Sequence, residues 1–406
     1  MRSVFLLLAG LLAGSTAAAS APPPPAGARP ASGAVQPAPP SSERVPEVDL
    51  ARLRVGPNAV VAPLRAGGTA ELTLDPAAQR DAERLLEGAR PRAGAILLLD
   101  LRSGRVLAWA ERRRDASRSE LTTARAPAAS VFKLVTTAAL FERANVVPSE
   151  RVCIAGGTHG IERRHLDPPR SGDVRCGPFF QALGHSKNAA YAQLATHRLL
   201  RTDLLEVAER IGMNHDVPFD FPVPVGSLRV PYGDLDFART AAGFEGSRLS
   251  PLGGAYLAAV VANGGLSPRL RIVARAGDYS APNELEIMGR VLGSTTAHRL
   301  ARMMEVTVEG GTAYSAFHDD LGHALLPGVR VAGKTGTLKP TGADGAASWF
   351  IGFAPSRAPR VAVSVLLENG AVWRRKAAEV ARDAFRSYFA ARGVRGIEPP
   401  AELAAR

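Results

Sequence analysis

Lysine is scarce in this chain. The sequence holds 45 arginines but five lysines: Lys133, Lys187, Lys334, Lys339 and Lys376. Arginine cannot release its proton inside a protein, whereas a buried lysine can. A position that keeps lysine in an arginine-rich chain is therefore a candidate for proton chemistry. Lys133 stands three residues after Ser130, in Ser130-Val131-Phe132-Lys133. On a helix that spacing puts hydroxyl and amine on one face. A serine hydroxyl is a poor nucleophile until a base takes its proton, and the apolar Val131, Phe132, Leu134 and Val135 would supply the burial that neutralises the amine. Lys334 opens Lys334-Thr335-Gly336-Thr337, whose lysine and threonines could bind a carboxylate and whose glycine would let a substrate backbone approach. The backbone N–H groups of Ser130 and Thr337 would then form an oxyanion hole. Between them lies Ser186-Lys187-Asn188. Its hydroxyl could pass a proton to a leaving amine, and its amide could hold a substrate carbonyl or orient Lys133. Each motif alone has an ordinary structural explanation: a helix start, an N-cap, a strand end.

These residues need elements to hold them. Asp75-Pro76 reads as a cap and first helical position, predicting a helix over 76–89. Ala95 to Leu101 and Arg105 to Ala110 read as a hairpin turning at Arg102-Ser103-Gly104. Helices are expected from Ser130 to Arg143, from Asn188 to Leu200, from Ser250-Pro251 to Asn263-Gly264-Gly265, and over 296–309. Three strands follow: Val329 to Gly333 running into 334–338, Ser348 to Ala354, and Arg360 to Leu367. A last amphipathic helix spans about 372–391. Two early strands and three late ones predict an α/β chain of the α+β type: a central five-stranded antiparallel sheet flanked by helices, with an inserted all-helical region.

At its start, Arg2 and the apolar run Val4 to Ala13, then Ala17-Ala18-Ala19, read as an export signal over 1–19, cleaved rather than kept as an anchor. Residues 20–68 are rich in proline, alanine, serine and glycine and are expected to be a disordered linker. That leaves a domain over 69–395 and a tail over 396–406. In an exported chain the two cysteines, Cys153 and Cys176, predict a disulfide. Their loop also holds His159, His165 and Asp167, but the spacing fits none of the usual zinc patterns, so no metal is expected. The net charge is +12, carried by arginines scattered without a basic stripe. Export and that scatter exclude nucleic acid as a partner; a basic surface suits anionic envelope polymers.

Taken together and in this order, the three motifs resemble those of the penicillin-recognising serine enzymes, the penicillin-binding proteins and serine β-lactamases. The likeness extends to Leu72-Thr73-Leu74-Asp75-Pro76, the 93–110 hairpin, Phe244-Glu245-Gly246 through Gly265, Gly310-Gly311-Thr312-Ala313, and Ser348 to Pro355. It covers nearly everything from about 70 to 390. The resemblance implies a β-lactamase/transpeptidase-like fold with Ser130 as nucleophile and Lys133 as acylation base. Ser186 and Asn188 would serve proton transfer and substrate holding, while Lys334, Thr335 and Thr337 would bind a terminal carboxylate. It implies a D,D-transpeptidase acting on peptidoglycan stem peptides ending in D-Ala-D-Ala, stalled by penicillin and other β-lactams, with no cofactor. The region before residue 70 is too short for a glycosyltransferase domain, which leaves that activity to a separate partner. The rival readings are a D,D-carboxypeptidase or β-lactamase, and a non-catalytic sensor. Two departures stand out: Ala128-Ala129 precedes the nucleophile where many relatives carry glycine, and Lys187 adds a third cation.

Overall fold

The computed structural model describes residues 45–115, 117–339 and 345–404. The expected export signal over 1–19 and residues 20–44 of the expected linker lie outside them. Five strands form the central sheet, in the spatial order Ala332–Leu338, Ala346–Ala354, Val361–Asn369, Ala93–Asp100, Val106–Arg112. Every neighbouring pair is antiparallel. The strands read as unbroken apolar runs because both faces are covered. Ala95, Leu97 and Leu99 point into one apolar cluster, and Ile96 and Leu98 into the other, which is the period-two alternation of a strand.

The helices Pro76–Ala89 and Ala377–Ala390 cover one face through Leu85, Leu86, Val380, Phe385 and Phe389. Asp75 caps the first as expected, accepting from Ala77 N–H at 2.8 Å and Ala78 N–H at 3.1 Å. The other face carries helices Pro251–Ala262 and Lys133–Arg143. Pro251–Ala262 is apolar all round and buried along most of its length, as a helix in the middle of a large core must be. Its cap, Ser250, accepts from Gly253 N–H at 3.1 Å.

Three expectations need correction. Residues 45–68 are not linker. Val60–Pro63 pairs with Thr69–Leu72, which pairs in turn with Val273–Ala276, in a second five-stranded sheet. Val60 and Ala62 are buried there, two small apolar side chains that a proline- and alanine-rich average conceals. The region after 396 is not a free tail either: Ile397 and Leu403 pack into the cluster beneath the terminal helix. Finally, the inserted region is not all helical. It includes the ladder Arg151–Ile154 with Arg175–Pro178 and a three-stranded patch of Ala126–Pro127, Ser247–Leu249 and Gly226–Leu228. Cys153 and Cys176 face each other across the first ladder, their sulfurs 2.04 Å apart. Among the described residues no helix is long and apolar enough to cross a membrane, and no group of His, Cys, Asp or Glu could hold a metal ion.

Candidate active site

Ser130 and Lys133 begin their helix in a tighter form than expected. Ala129–Phe132 is a 3-10 turn, and the α-helix starts only at Lys133. Side chains at i and i+3 eclipse in a 3-10 turn, which brings Lys133 Nζ to 2.7 Å from Ser130 Oγ. The amine also lies 2.7 Å from Asn188 Oδ1 and 2.7 Å from the carbonyl of Ala242. Asn188 has its amide orientation set from behind, since Nδ2 donates to the Thr158 carbonyl at 2.7 Å. Both the Asn188 oxygen and the Ala242 carbonyl can only accept. They consume two N–H bonds of Lys133 and leave the third direction for Ser130.

Lys133 is completely buried. Burial, then the charge of Lys334, hold its pKa well below the ordinary lysine value. A neutral amine has two hydrogens and one lone pair. In that neutral form both hydrogens would be spent on the carbonyl oxygens and the lone pair would face the Ser130 hydroxyl. The ring of Tyr191, one turn along from Asn188, lies under the amine at 5.5 Å.

Lys334 is also completely buried, and burial pushes its pKa down to about 7. It donates to Ser186 Oγ at 3.2 Å and to the Thr335 carbonyl at 2.8 Å. It therefore stands behind the cleft and acts through Ser186, while Thr335 and Thr337 reach the cleft surface. Thr335 Oγ1 is 2.5 Å from Thr312 Oγ1, a partner whose role the sequence did not signal. Ala332–Leu338 is the edge of the central sheet, so one side of its backbone is open to an extended peptide.

Glycine at 336 also has a packing role inside the fold. A Cβ there would lie 3.1 Å from Trp349 Cβ and 3.3 Å from both Ala129 and Val131. The missing side chain makes room for the turn that carries Ser130. Lys187 is exposed and is not among the residues lining the cleft. Ala129 and Ser186 both hold positive φ, +51° and +54°, backbone strain of the kind that accompanies functional turns.

Ser130, Ser186, Asn188, Thr335 and Thr337 line one cleft of about 1090 Å³, with Glu162 and Glu245 also at its walls. It combines a serine hydroxyl beside a buried amine of lowered pKa, a second amine–hydroxyl pair and an open strand edge. That is equipment for acyl transfer through a serine ester. The carbonyls of Ala242 and Thr158 complete it, and backbone acceptors carry no signature in sequence.

The family model for the penicillin binding protein transpeptidase domain matches residues 94–389. The peptidoglycan D,D-transpeptidase PbpA of Mycobacterium tuberculosis is 28% identical over 349 residues, covering 75% of this chain and 68% of the relative. Its counterpart in Mycolicibacterium smegmatis is 25% identical over 362 residues, with coverage of 75% and 68%. Among solved structures, penicillin-binding protein A of M. tuberculosis superposes with a TM-score of 0.66 at 23% identity, covering 80% of this chain and 83% of that one. The transpeptidase domain of Burkholderia pseudomallei penicillin-binding protein 3 gives 0.63 at 22% identity, with coverage of 81% and 98%. With the family model spanning well over half of its length, the chain belongs to the penicillin-binding protein transpeptidase family.

Proposed function

We propose that this chain is a penicillin-binding serine D,D-transpeptidase that crosslinks peptidoglycan stem peptides through an acyl-enzyme on Ser130. The observation that carries the reading is the three-way setting of Lys133, whose two carbonyl partners leave its lone pair for Ser130. Lys133 takes the hydroxyl proton as Ser130 Oγ attacks the carbonyl of the penultimate D-alanine. The developing oxyanion is held by the N–H groups of Ser130 and Thr337. The C–N bond then breaks, the leaving D-alanine amine collects a proton through Ser186, and an ester to Ser130 remains. Thr335 and Thr337 grip the terminal carboxylate, and Lys334 supplies positive potential behind them. Attack on the ester by an amine of a neighbouring strand restores Ser130 and forms the crosslink. Penicillin enters by the first step and stops there.

The chain is proposed to act in the cell envelope after export, beside a separate glycosyltransferase. In that oxidising compartment Cys153 and Cys176 would be joined as a disulfide. Intact-mass measurement over time after penicillin exposure tests the reading. A long-lived adduct of one penicillin is expected, absent in Ser130→Ala. Rapid turnover without an adduct would instead mark a β-lactamase. With a donor peptide and an acceptor amine, crosslinked product is expected; hydrolysis alone would mark a carboxypeptidase.

A further inference from the structure

One aromatic ring stands against the amine of Lys133. Tyr191 lies on the helix Asn188–Arg198 and is completely buried. Its ring centroid is 5.5 Å from Lys133 Nζ, inside the range over which an aromatic face attracts a cation. Among the described residues no other cation lies over this ring. The Tyr191 hydroxyl is 2.8 Å from Thr137 Oγ1. Thr137 gives its own hydrogen to the Lys133 carbonyl at 2.7 Å, so Tyr191 is the donor of that pair. The ring is thereby tied to the backbone of the residue whose amine it faces. Phe179 packs beside it, with ring centroids 5.5 Å apart. Burial raises the pKa of the phenol, which stays uncharged.

Lys133 must be two things in turn. It meets Ser130 as a neutral amine. It becomes an ammonium when the Ser130 O–H bond breaks, the proton passing to Nζ and the oxygen's electron pair to the acyl carbon. Burial and the charge of Lys334 both oppose that second form. An amine made too weak takes no proton from a hydroxyl. The carbonyl oxygens of Asn188 and Ala242 accept from either form. An aromatic face discriminates: it attracts the ammonium, and most strongly where water is excluded. Lys334, on the edge strand, is the one charge bearing on the amine. Glu142 and Arg143, at the far end of its own helix, pair with Arg210 and Glu206. On the Tyr191 helix Arg198 pairs with Glu150 and His197 with Asp167, and on the helix before Ala242 Arg239 pairs with Asp236.

Given Ser130 as nucleophile and Lys133 as its base, the reading on which this inference rests, we propose that Tyr191 is a positioning residue of the acylation step. Its ring stabilises the ammonium that Lys133 becomes on taking the proton of Ser130.

Penicillin acylation of the full chain, followed by intact mass across pH, tests this role. Tyr191→Phe keeps the ring face and Tyr191→Leu removes it. Tyr191→trifluorophenylalanine keeps the shape while withdrawing the negative potential of the face, so packing is preserved. Removing the face should lower the rate plateau by about threefold to thirtyfold, because the proton is only partly transferred in the transition state. The acid limb should move to lower pH, by up to about 1.5 in pH, because the protonated amine has lost a partner. The trifluorinated variant should show both changes in part, and Tyr191→Phe should keep most of the rate that Tyr191→Leu loses. A trifluorinated variant that matches Tyr191→Phe in plateau and limb overturns the proposal. So does a slower rate with an unmoved limb, which a packing role alone would give. Tyr191→Phe as slow as Tyr191→Leu would assign the effect to the hydroxyl and overturns it too. A wild type that takes no penicillin removes the Ser130 reading and this role with it; a wild type that labels while the series stays flat removes the role of Tyr191 alone.

Discussion

Lys133 and Lys334 are both wholly buried, and the charge of Lys334 adds to the cost of charging Lys133. Burial, then the charge of Lys334, holds the pKa of Lys133 well below the ordinary lysine value, as the proposed base requires, while burial brings Lys334 to about 7. Replacing Lys133 with arginine keeps a long nitrogen-bearing side chain but one that cannot give up its proton. Penicillin acylation of Lys133→Arg should fall by about 10²- to 10⁴-fold, the usual contribution of a positioned base, as read from adduct formation by mass. Lys334 leads to a stability prediction. The unfolded chain holds this proton up to the ordinary value of 10.5, the folded chain only to about 7. Between those values the unfolded state binds more protons, so stability rises with pH, and the penalty is complete once pH falls to about 7. Lys334→Met should therefore be more stable than the wild type at pH 7, by on the order of several kcal/mol. That advantage should shrink toward pH 10 in urea midpoints. A constant difference across that range would count against the buried-amine account. These side chains were legible in sequence because lysine stands out against arginine and because the spacing was informative. Thr312, Ala242 and Thr158 were not, because a hydroxyl of ordinary type and two backbone carbonyls acquire a role only from where the chain folds.

The nucleophile turn is held from both sides by main chain. Gly243 has φ +86°, and a Cβ there would lie 2.1 Å from the Ala129 carbonyl oxygen and 3.3 Å from Ser130 N. Neither neighbour is a flexible side-chain end, so the turn itself would have to move. Gly243→Ala should cost about 2–4 kcal/mol by clash and strain together. It should also slow acylation more than a stability loss alone would, because Ser130 shifts with Ala129 and the adjacent Ala242 carbonyl holds Lys133. Chemical denaturation paired with penicillin labelling of the folded fraction separates the two effects; full labelling at the wild-type rate would show that the turn had not moved. Elements with strong end signals were readable: the Asp75-Pro76 and Ser250-Pro251 starts and the late apolar strands fall where the sequence predicts. The terminal helix begins later than predicted, at Ala377, since Val372 is exposed and Trp373 lies in the loop before it. The strand Val60–Pro63 escaped notice because four residues bearing one proline give no sustained alternation. Its neighbour Thr69–Leu72 is joined in turn to Val273–Ala276, about two hundred positions away, and long-range pairing is invisible to a local window.

At the scale of the molecule, the site depends on a segment that belongs to neither main layer. The ladder of Arg151–Ile154 and Arg175–Pro178 encloses the loop carrying Thr158, and Thr158 orients Asn188 against Lys133. That loop has few buried apolar side chains of its own, chiefly Ile161 and Leu166, so its order rests heavily on the Cys153–Cys176 link. A bridge between residues 23 positions apart contributes on the order of 3 kcal/mol by loop entropy. Its removal should be felt where the loop is, because regions poor in buried contacts open without global unfolding. In the Cys153→Ala, Cys176→Ala double variant, amide hydrogen exchange across 151–178 should rise by about two orders of magnitude, following that free energy. Exchange in the central strands should stay unchanged. Acylation should slow in parallel, because an Asn188 released from Thr158 no longer directs the Lys133 lone pair at Ser130. Equal loss of protection in Val361–Asn369 would mean that the bridge supports the whole fold instead, and unaltered acylation would remove Thr158 from the chain of positioning contacts.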